Sequence, residues 1–305
     1  MAFAAVNWGS QVLLSIVIYG HIVRVESLRP ERRGNKGKVT AQLVHSQLTV
    51  ESCHMEELRT DTNCGIIVLG VFRSGTSLVS QLLHHLGVDF GMDKRVIRGT
   101  RDNPGGTFEH RQINKINGRL LQSAGRTFAK PGPPVTLAEE ADLRVLQRAD
   151  LSWTEGETIW GLKDPRFCVT LAAWLEAGKI ETERLQIVHV KRNTHSVAKS
   201  AYKYPNTNWY FNGSFEAIAE GVKKYQEFAQ WHVDNLNLPT LVVQYEELLQ
   251  KPEHIVAALA RFIGVSDEKR IRRAASYVGK KKALLLLPSS RILRKLYCIF
   301  HQSSC

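Results

Sequence analysis

Acidic residues are in short supply here. Asp and Glu number 29 against 41 Lys and Arg, a net charge of +12 over 305 residues. Such a surplus draws a chain toward anions: nucleic acid, an acidic membrane surface or a phosphate-rich small molecule. Cysteine is scarce as well. The five residues Cys53, Cys64, Cys168, Cys298 and Cys305 are odd in number and include no CxxC pair. That argues against a disulfide framework and against a zinc site, so a reducing, cytoplasmic setting is the simplest reading. Cys305 does not complete a prenylation signal. No internal repeat is present. Apolar residues make up 43%, which excludes collagenous and wholly disordered classes.

Long clean hydrophobic runs are missing too. The stretch from Val6 to Val23 is mostly apolar, but Asn7, Ser10, Gln11, Ser15 and His21 interrupt it. No Lys or Arg precedes it, so it lacks the basic front end of a signal peptide. It is barely long enough to span a bilayer. Residues 1–63 are therefore read as an N-terminal extension, either an unordered segment or a weak membrane segment. In the second case the cations from Arg24 to Lys38 would hold the rest of the chain in the cytoplasm. A translation start at Met55 is a third reading. Residues 281–305 are basic and amphipathic. Arg291, Arg294 and Lys295 interleave with Ile292, Leu293, Leu296, Ile299 and Phe300. Such a segment lies on an anionic membrane or packs as a last helix. Peripheral membrane contact through both basic ends is one expectation.

Between these ends, four short apolar runs read as buried strands: 65–69, 159–162, 185–190 and 241–244. Helical periodicity follows each, over 76–86, 168–176, 194–202 and 252–262, and longer helices are expected over 215–236 and 137–151. Strands alternating with helices predict an α/β fold with a parallel sheet covered on both faces. The domain is placed at residues 64–280. The long loop 91–106, rich in Gly, Arg and Asp, has the length of a functional loop.

The sharpest motif is Gly70-Val-Phe-Arg-Ser-Gly-Thr-Ser77, between a strand and a helix. In that context backbone N–H groups and a helix N-terminus face a phosphate. Gly70, Gly75 and Ser77 match the nucleotide-triphosphatase spacing GxxxxGK[ST]. The Lys place is taken by Thr76, and the positive charge has moved to Arg73. A loop without that Lys is poorly equipped for the β- and γ-phosphates of ATP, and no strand ends in a convincing Mg²⁺ carboxylate.

Three motifs in order carry a family resemblance. GVFRSGTSLVSQLL resembles the 5′-phosphosulfate loop of sulfotransferases that use 3′-phosphoadenylyl sulfate (PAPS). Arg192, seven residues and Ser200 after a strand resemble their 3′-phosphate site. The segment 243–264 is similar to their late strand–helix unit. The resemblance covers about residues 64–265 and implies a P-loop type parallel sheet flanked by helices. It also implies metal-independent transfer of a sulfuryl group from PAPS to an acceptor hydroxyl or amine. Arg73 and Lys163-Asp-Pro-Arg166 look closer to the tyrosylprotein and bacterial branches than to the cytosolic eukaryotic one. Gly279-Lys-Lys-Lys282 only loosely echoes the latter's Gly- and Lys-rich C-terminal loop.

The resemblance implies a division of labour. Arg73, assisted by Lys163, neutralises charge on the leaving phosphate oxygen. Arg73, Ser74, Gly75, Thr76 and Ser77 hold the 5′-phosphate, and Arg192 and Ser200 hold the 3′-phosphate. The general base is Glu109 or its neighbour His110; the other reading of Glu109 is a helix-start carboxylate serving the dipole. Asp164 orients Lys163 or caps the next helix. His84 and His85 are read as a surface or packing pair. Trp153, Trp160, Trp174 and Trp231 are read as core, and Trp209 and Tyr210 as candidates for an acceptor pocket. Competing readings are a P-loop small-molecule kinase and a non-catalytic nucleotide-binding protein. Nucleic acid is not expected as a partner, because the basic residues gather at the ends and in the phosphate loops rather than in a stripe with aromatics.

Overall fold

The structure is a computed structural model. It describes residues 3–8, 11–18, 21–25, 64–91, 106–155, 159–204 and 210–286, with the backbone alone for 3–25 and 280–286. The chain divides into two compact units, Met1–Arg59 and Thr60–Cys305.

In the first unit β1 (Phe3–Trp8), β2 (Gln11–Ile18) and β3 (His21–Val25) form an antiparallel sheet in that order. Trp8 pairs with Gln11, and Ile18 with His21. The strands are rich in Val and Ile, and backbone pairing between neighbours satisfies their amides. Among the described residues no helix is long and apolar enough to cross a membrane.

The second unit is the α/β domain. Its strands are β4 (Cys64–Leu69), β5 (Ile159–Lys163), β6 (Leu185–Lys191) and β7 (Thr240–Gln244), all parallel, in the order β5-β4-β6-β7. The helices are α1 (Thr76–Leu86), α2 (Arg111–Ser123), the short α3 (Leu137–Glu140), α4 (Phe167–Glu176), α5 (Thr194–Tyr202), α6 (Phe215–Asn235), α7 (Tyr245–Gln250), α8 (Pro252–Phe262) and α9 (Glu268–Leu286).

Strand alternation sorts the core into two layers. Ile67, Leu69, Leu162 and Ile187 pack with α2, α4 and α6. Ile66, Val68, Val188 and Val190 pack with α1, α8 and α9. On α1 the 3.6-residue spacing collects Leu78, Val79, Leu82, Leu83 and Leu86 on the second layer, all buried. Each such burial stabilises the fold by about 1.5–3 kcal/mol. Trp174 is fully buried, whereas Trp153, Trp160 and Trp231 are only partly so.

Two expectations change here. The helix foreseen over 137–151 is broken into α3 and 3₁₀ turns at Leu143–Arg148 and Ser152–Thr154. Ala141 is extended, and the Asp142 carboxylate accepts from Arg144 N at 3.1 Å, restarting the chain in a new direction. The domain boundary at 280 falls inside α9, which packs on α1 and α8. Gly279–Lys282 lies within that helix. Residues 287–305, the loop 92–105 and Trp209 lie outside the described residues.

Candidate functional site

The parallel order places the C-terminal ends of β4, β5 and β6 side by side, with Val68 opposite Lys163 and Leu69 opposite His189. Open α/β sheets bind ligands at such ends. The chain leaves β4 through the Gly70–Ser77 loop. Gly75 has φ +102° and caps α1, and a Cβ there would enter the Tyr245 ring. At Gly70 a Cβ would lie 2.7 Å from the Val190 carbonyl oxygen. Both glycines are therefore required by close approach. Arg73 is itself left-handed, at φ +63°, a conformation that costs a non-glycine residue about 1 kcal/mol or more. Ser74 is buried, and its hydroxyl donates to Val71 O at 2.6 Å, closing the turn.

Two distant segments hold that loop. Arg73 Nε donates to Ser200 Oγ at 3.3 Å, across 127 positions of sequence. Arg192 donates from a terminal guanidinium nitrogen to Arg73 O at 2.9 Å. The Arg192 guanidinium lies over the Tyr245 ring at 4.4 Å, and that of Arg73 over Tyr204 at 4.9 Å. Among the described residues Arg192 Nε is buried without a hydrogen-bond partner; the Glu246 carboxylate is 4.0 Å away. Such an orphan donor on a cation fits an anionic oxygen. The two predicted phosphate-binding segments, Gly70–Ser77 and Arg192–Ser200, thus converge.

Beside the loop, Lys163 Nζ donates to Glu109 Oε1 at 2.6 Å, with the lysine side chain only 5% exposed and the carboxylate 15%. The other carboxylate oxygen, Oε2, accepts from Asn114 Nδ2 at 3.1 Å. Ser77 Oγ donates to Thr107 O at 3.4 Å, tying the start of α1 to the Glu109 segment. Glu109 stands directly before His110, the N-cap of α2, and its carboxylate faces Lys163 on one oxygen and Asn114 on the other. His110 is buried at the N-cap of α2, where its ring stacks on Trp153 at 5.9 Å.

Asp164 is buried and accepts from Arg166 N at 2.8 Å and from the Arg166 guanidinium at 3.2 Å, fixing the turn that leads to Arg166, the N-cap of α4. Burial works against the Arg166 charge, but Asp164, Tyr225 and Glu109 more than offset this and raise its pKa above the ordinary value. His84 and His85 are half-buried packing residues, against Phe108 and Tyr277 respectively. Burial lowers the His85 pKa to about 4. Tyr210 is 42% exposed and packs on Phe128. Among the described residues no cluster of His, Cys, Asp or Glu has the arrangement of a metal site.

Sequence reasoning missed Tyr245, Tyr204 and Asn114. Tyr245 lay within a quoted motif, yet nothing in its spacing marked it as the wall behind Gly75. Asn114 carries no local signal.

Residues 65–269 match the family model described as the sulfotransferase family. Among solved structures, the chain is similar to a sulfotransferase domain from the curacin biosynthetic pathway. The match has 15% identity and a TM-score of 0.41 over 68% of this chain and 75% of that one. It is also similar to the sulfotransferase STF9 from Mycobacterium avium, with 14% identity and a TM-score of 0.41 over 75% and 70% of the two chains. Mouse sulfotransferase SULT7A1, solved with PAP, shares 12% identity and a TM-score of 0.39 over 74% and 68%. A search of curated proteins finds no match.

Proposed function

The chain belongs to the sulfotransferase family, and from that premise we propose that it moves the sulfuryl group of PAPS to an acceptor hydroxyl or amine by in-line displacement. The observation that carries this reading is the 2.6 Å contact between a buried lysine and a carboxylate beside an arginine-bearing phosphate loop. Sulfuryl transfer resembles phosphoryl transfer in its loose transition state, so positioning and charge stabilisation dominate.

Each role falls to a named group. Arg73, with its backbone held by Arg192 and its Nε by Ser200, meets the charge that grows on the leaving phosphate oxygen. The loop amides, Thr76 and Ser77 hold the 5′-phosphate. Arg192, with its orphan Nε, just before the N-cap of α5, and Ser200 in that helix's last turn hold the 3′-phosphate. Lys163 supplies a second cation at the leaving oxygen. Glu109 takes the acceptor proton, a contribution typically worth about 10²–10⁴ in rate. The Lys163–Glu109 bond favours Glu109 over His110 as the base, because His110 is packed against Trp153.

An acceptor screen with ³⁵S-labelled PAPS, following release of the 3′,5′-bisphosphate, tests the reading. Arg73→Ala and Glu109→Gln should abolish transfer while the fold survives. Full activity in Glu109→Gln would move the base to His110. Tight Mg²⁺·ATP binding with phosphoryl transfer would replace the reading with that of a kinase.

A further inference from the structure

We propose that Asn114 is a positioning residue that holds the Glu109 carboxylate in its working orientation while Lys163 serves the leaving group. The inference rests on the sulfuryl-transfer reading above. An ionised carboxylate has about four acceptor positions. Lys163 takes one on Oε1 and Asn114 one on Oε2, leaving acceptor capacity for the incoming proton. The terminal torsion of a glutamate is soft, so a single hold on one oxygen lets the carboxylate turn. Two holds, one on each oxygen, fix its plane. Lys163 has a second duty, since the leaving oxygen competes for the same ammonium. Asn114 has none, and its neutral amide keeps its grip throughout the step.

The scaffold beneath Asn114 is rigid. Around it on α2, Ile113, Ile116 and Asn117 are buried. Asn117 Oδ1 accepts from Thr170 Oγ1 at 3.0 Å and from Trp174 Nε1 at 2.7 Å. Those bonds lock α2 to α4, which begins just after Lys163 and its Asp-Pro-Arg sequel. The donor to Glu109 and the cation paired with it are therefore referenced to the same helix. The main chain of Glu109 is fixed as well. Phe108 is left-handed at φ +59° with its ring buried against Phe90, and Glu109 N donates to Thr107 Oγ1 at 3.3 Å. What remains loose is the side chain, and that is what Asn114 restrains.

The test compares the full-length wild type with Asn114→Leu and Asn114→Asp, using PAPS and the acceptor found in the screen. The measurements are kcat, KM for PAPS, the folded fraction, and binding of 3′,5′-ADP as proof of a folded loop. Asn114→Leu should lower kcat per folded molecule about tenfold or more with KM for PAPS and 3′,5′-ADP binding unchanged. Asn114→Asp, which sets a second carboxylate against the first, should lower kcat further with the same KM. Wild-type kcat in both variants would overturn the proposal while leaving the sulfuryl-transfer reading intact. A fall in kcat that only tracks the folded fraction, or that comes with an equal loss of 3′,5′-ADP binding, would make Asn114 structural and overturn it too. A wild-type chain that transfers nothing from PAPS to any acceptor overturns both.

Discussion

Replacing Glu109 by glutamine alters one atom's chemistry and leaves the shape alone, and the structure gives the cost. Both groups facing the carboxylate are donors: the Lys163 ammonium on Oε1 and the Asn114 amide on Oε2. A glutamine offers one oxygen and one NH₂, so whichever way it turns, an N–H meets a donor. One hydrogen bond is lost, and Lys163, with a side chain 5% exposed, keeps its charge without a counter-charge. Removing one partner of a buried pair costs about 3–5 kcal/mol. The surviving amide oxygen returns part of that, so Glu109→Gln should destabilise the domain by about 2–3 kcal/mol. Lys163→Met should cost a similar amount by stranding the carboxylate. The double variant, with neither charge, should recover much of the loss, so the two effects should fall short of additivity by about 2 kcal/mol. Urea unfolding of the four proteins near neutral pH measures this directly, with slopes checked for constancy. Additivity within about 0.5 kcal/mol would refute the buried-pair reasoning, whatever the variants do to catalysis.

Three further outcomes follow from the same geometry. Arg192→Ala removes the orphan donor and the hold on the Arg73 carbonyl, and should weaken 3′,5′-ADP binding about 10- to 100-fold by calorimetry; unchanged affinity would refute its role. Gly75→Ala forces a Cβ into the Tyr245 ring at φ +102° and should lower Tm and abolish nucleotide binding together. Burial lowers the His189 pKa to about 4 and that of His232 to about 3, against an ordinary value near 6.5. Between pH 6.5 and 4 the unfolded chain takes up protons that the folded chain refuses, so stability falls with falling pH, by up to about 1.4 kcal/mol per unit for each histidine. His189→Gln should flatten that slope, and an unaltered slope would count against the assignment.

Much of the domain was legible because its signals are local and redundant. The helices Thr76–Leu86, Thr194–Tyr202 and Pro252–Phe262 begin and end where periodicity, glycine and proline place them. The N-terminal sheet was not legible in the same way. Short apolar runs do not declare strand or helix by periodicity alone. Its clearest clues were the two-residue gaps Gly9-Ser10 and Tyr19-Gly20, of hairpin length. The 137–151 helix failed because Asp142 competes for the backbone, an effect that periodicity does not register. In the candidate site, residues carried by spaced motifs were found, and those created by tertiary approach were not. Asn114 meets Glu109 only because α2 is clamped to α4, and Tyr245 meets Gly75 only because β7 lies next to β6.

The order of strands also governs when this protein can complete its Gly70–Ser77 loop during synthesis. β4 emerges early, yet its partners come late: Cys64 pairs with Ile159, and Gly65 with Leu185. Until β6 and α5 have left the ribosome, the Gly70–Ser77 segment lacks one of its two flanking strands, the Arg192 bond and Ser200. Closing contacts that far apart along the chain is slow. The nascent α1 would meanwhile show a bare row of leucines, an invitation to chaperones and aggregation. On the sulfuryl-transfer reading proposed above, nucleotide would then act as a late-stage ligand that stabilises only the finished sheet, and its supply would bear on the yield of folded protein as well as on turnover.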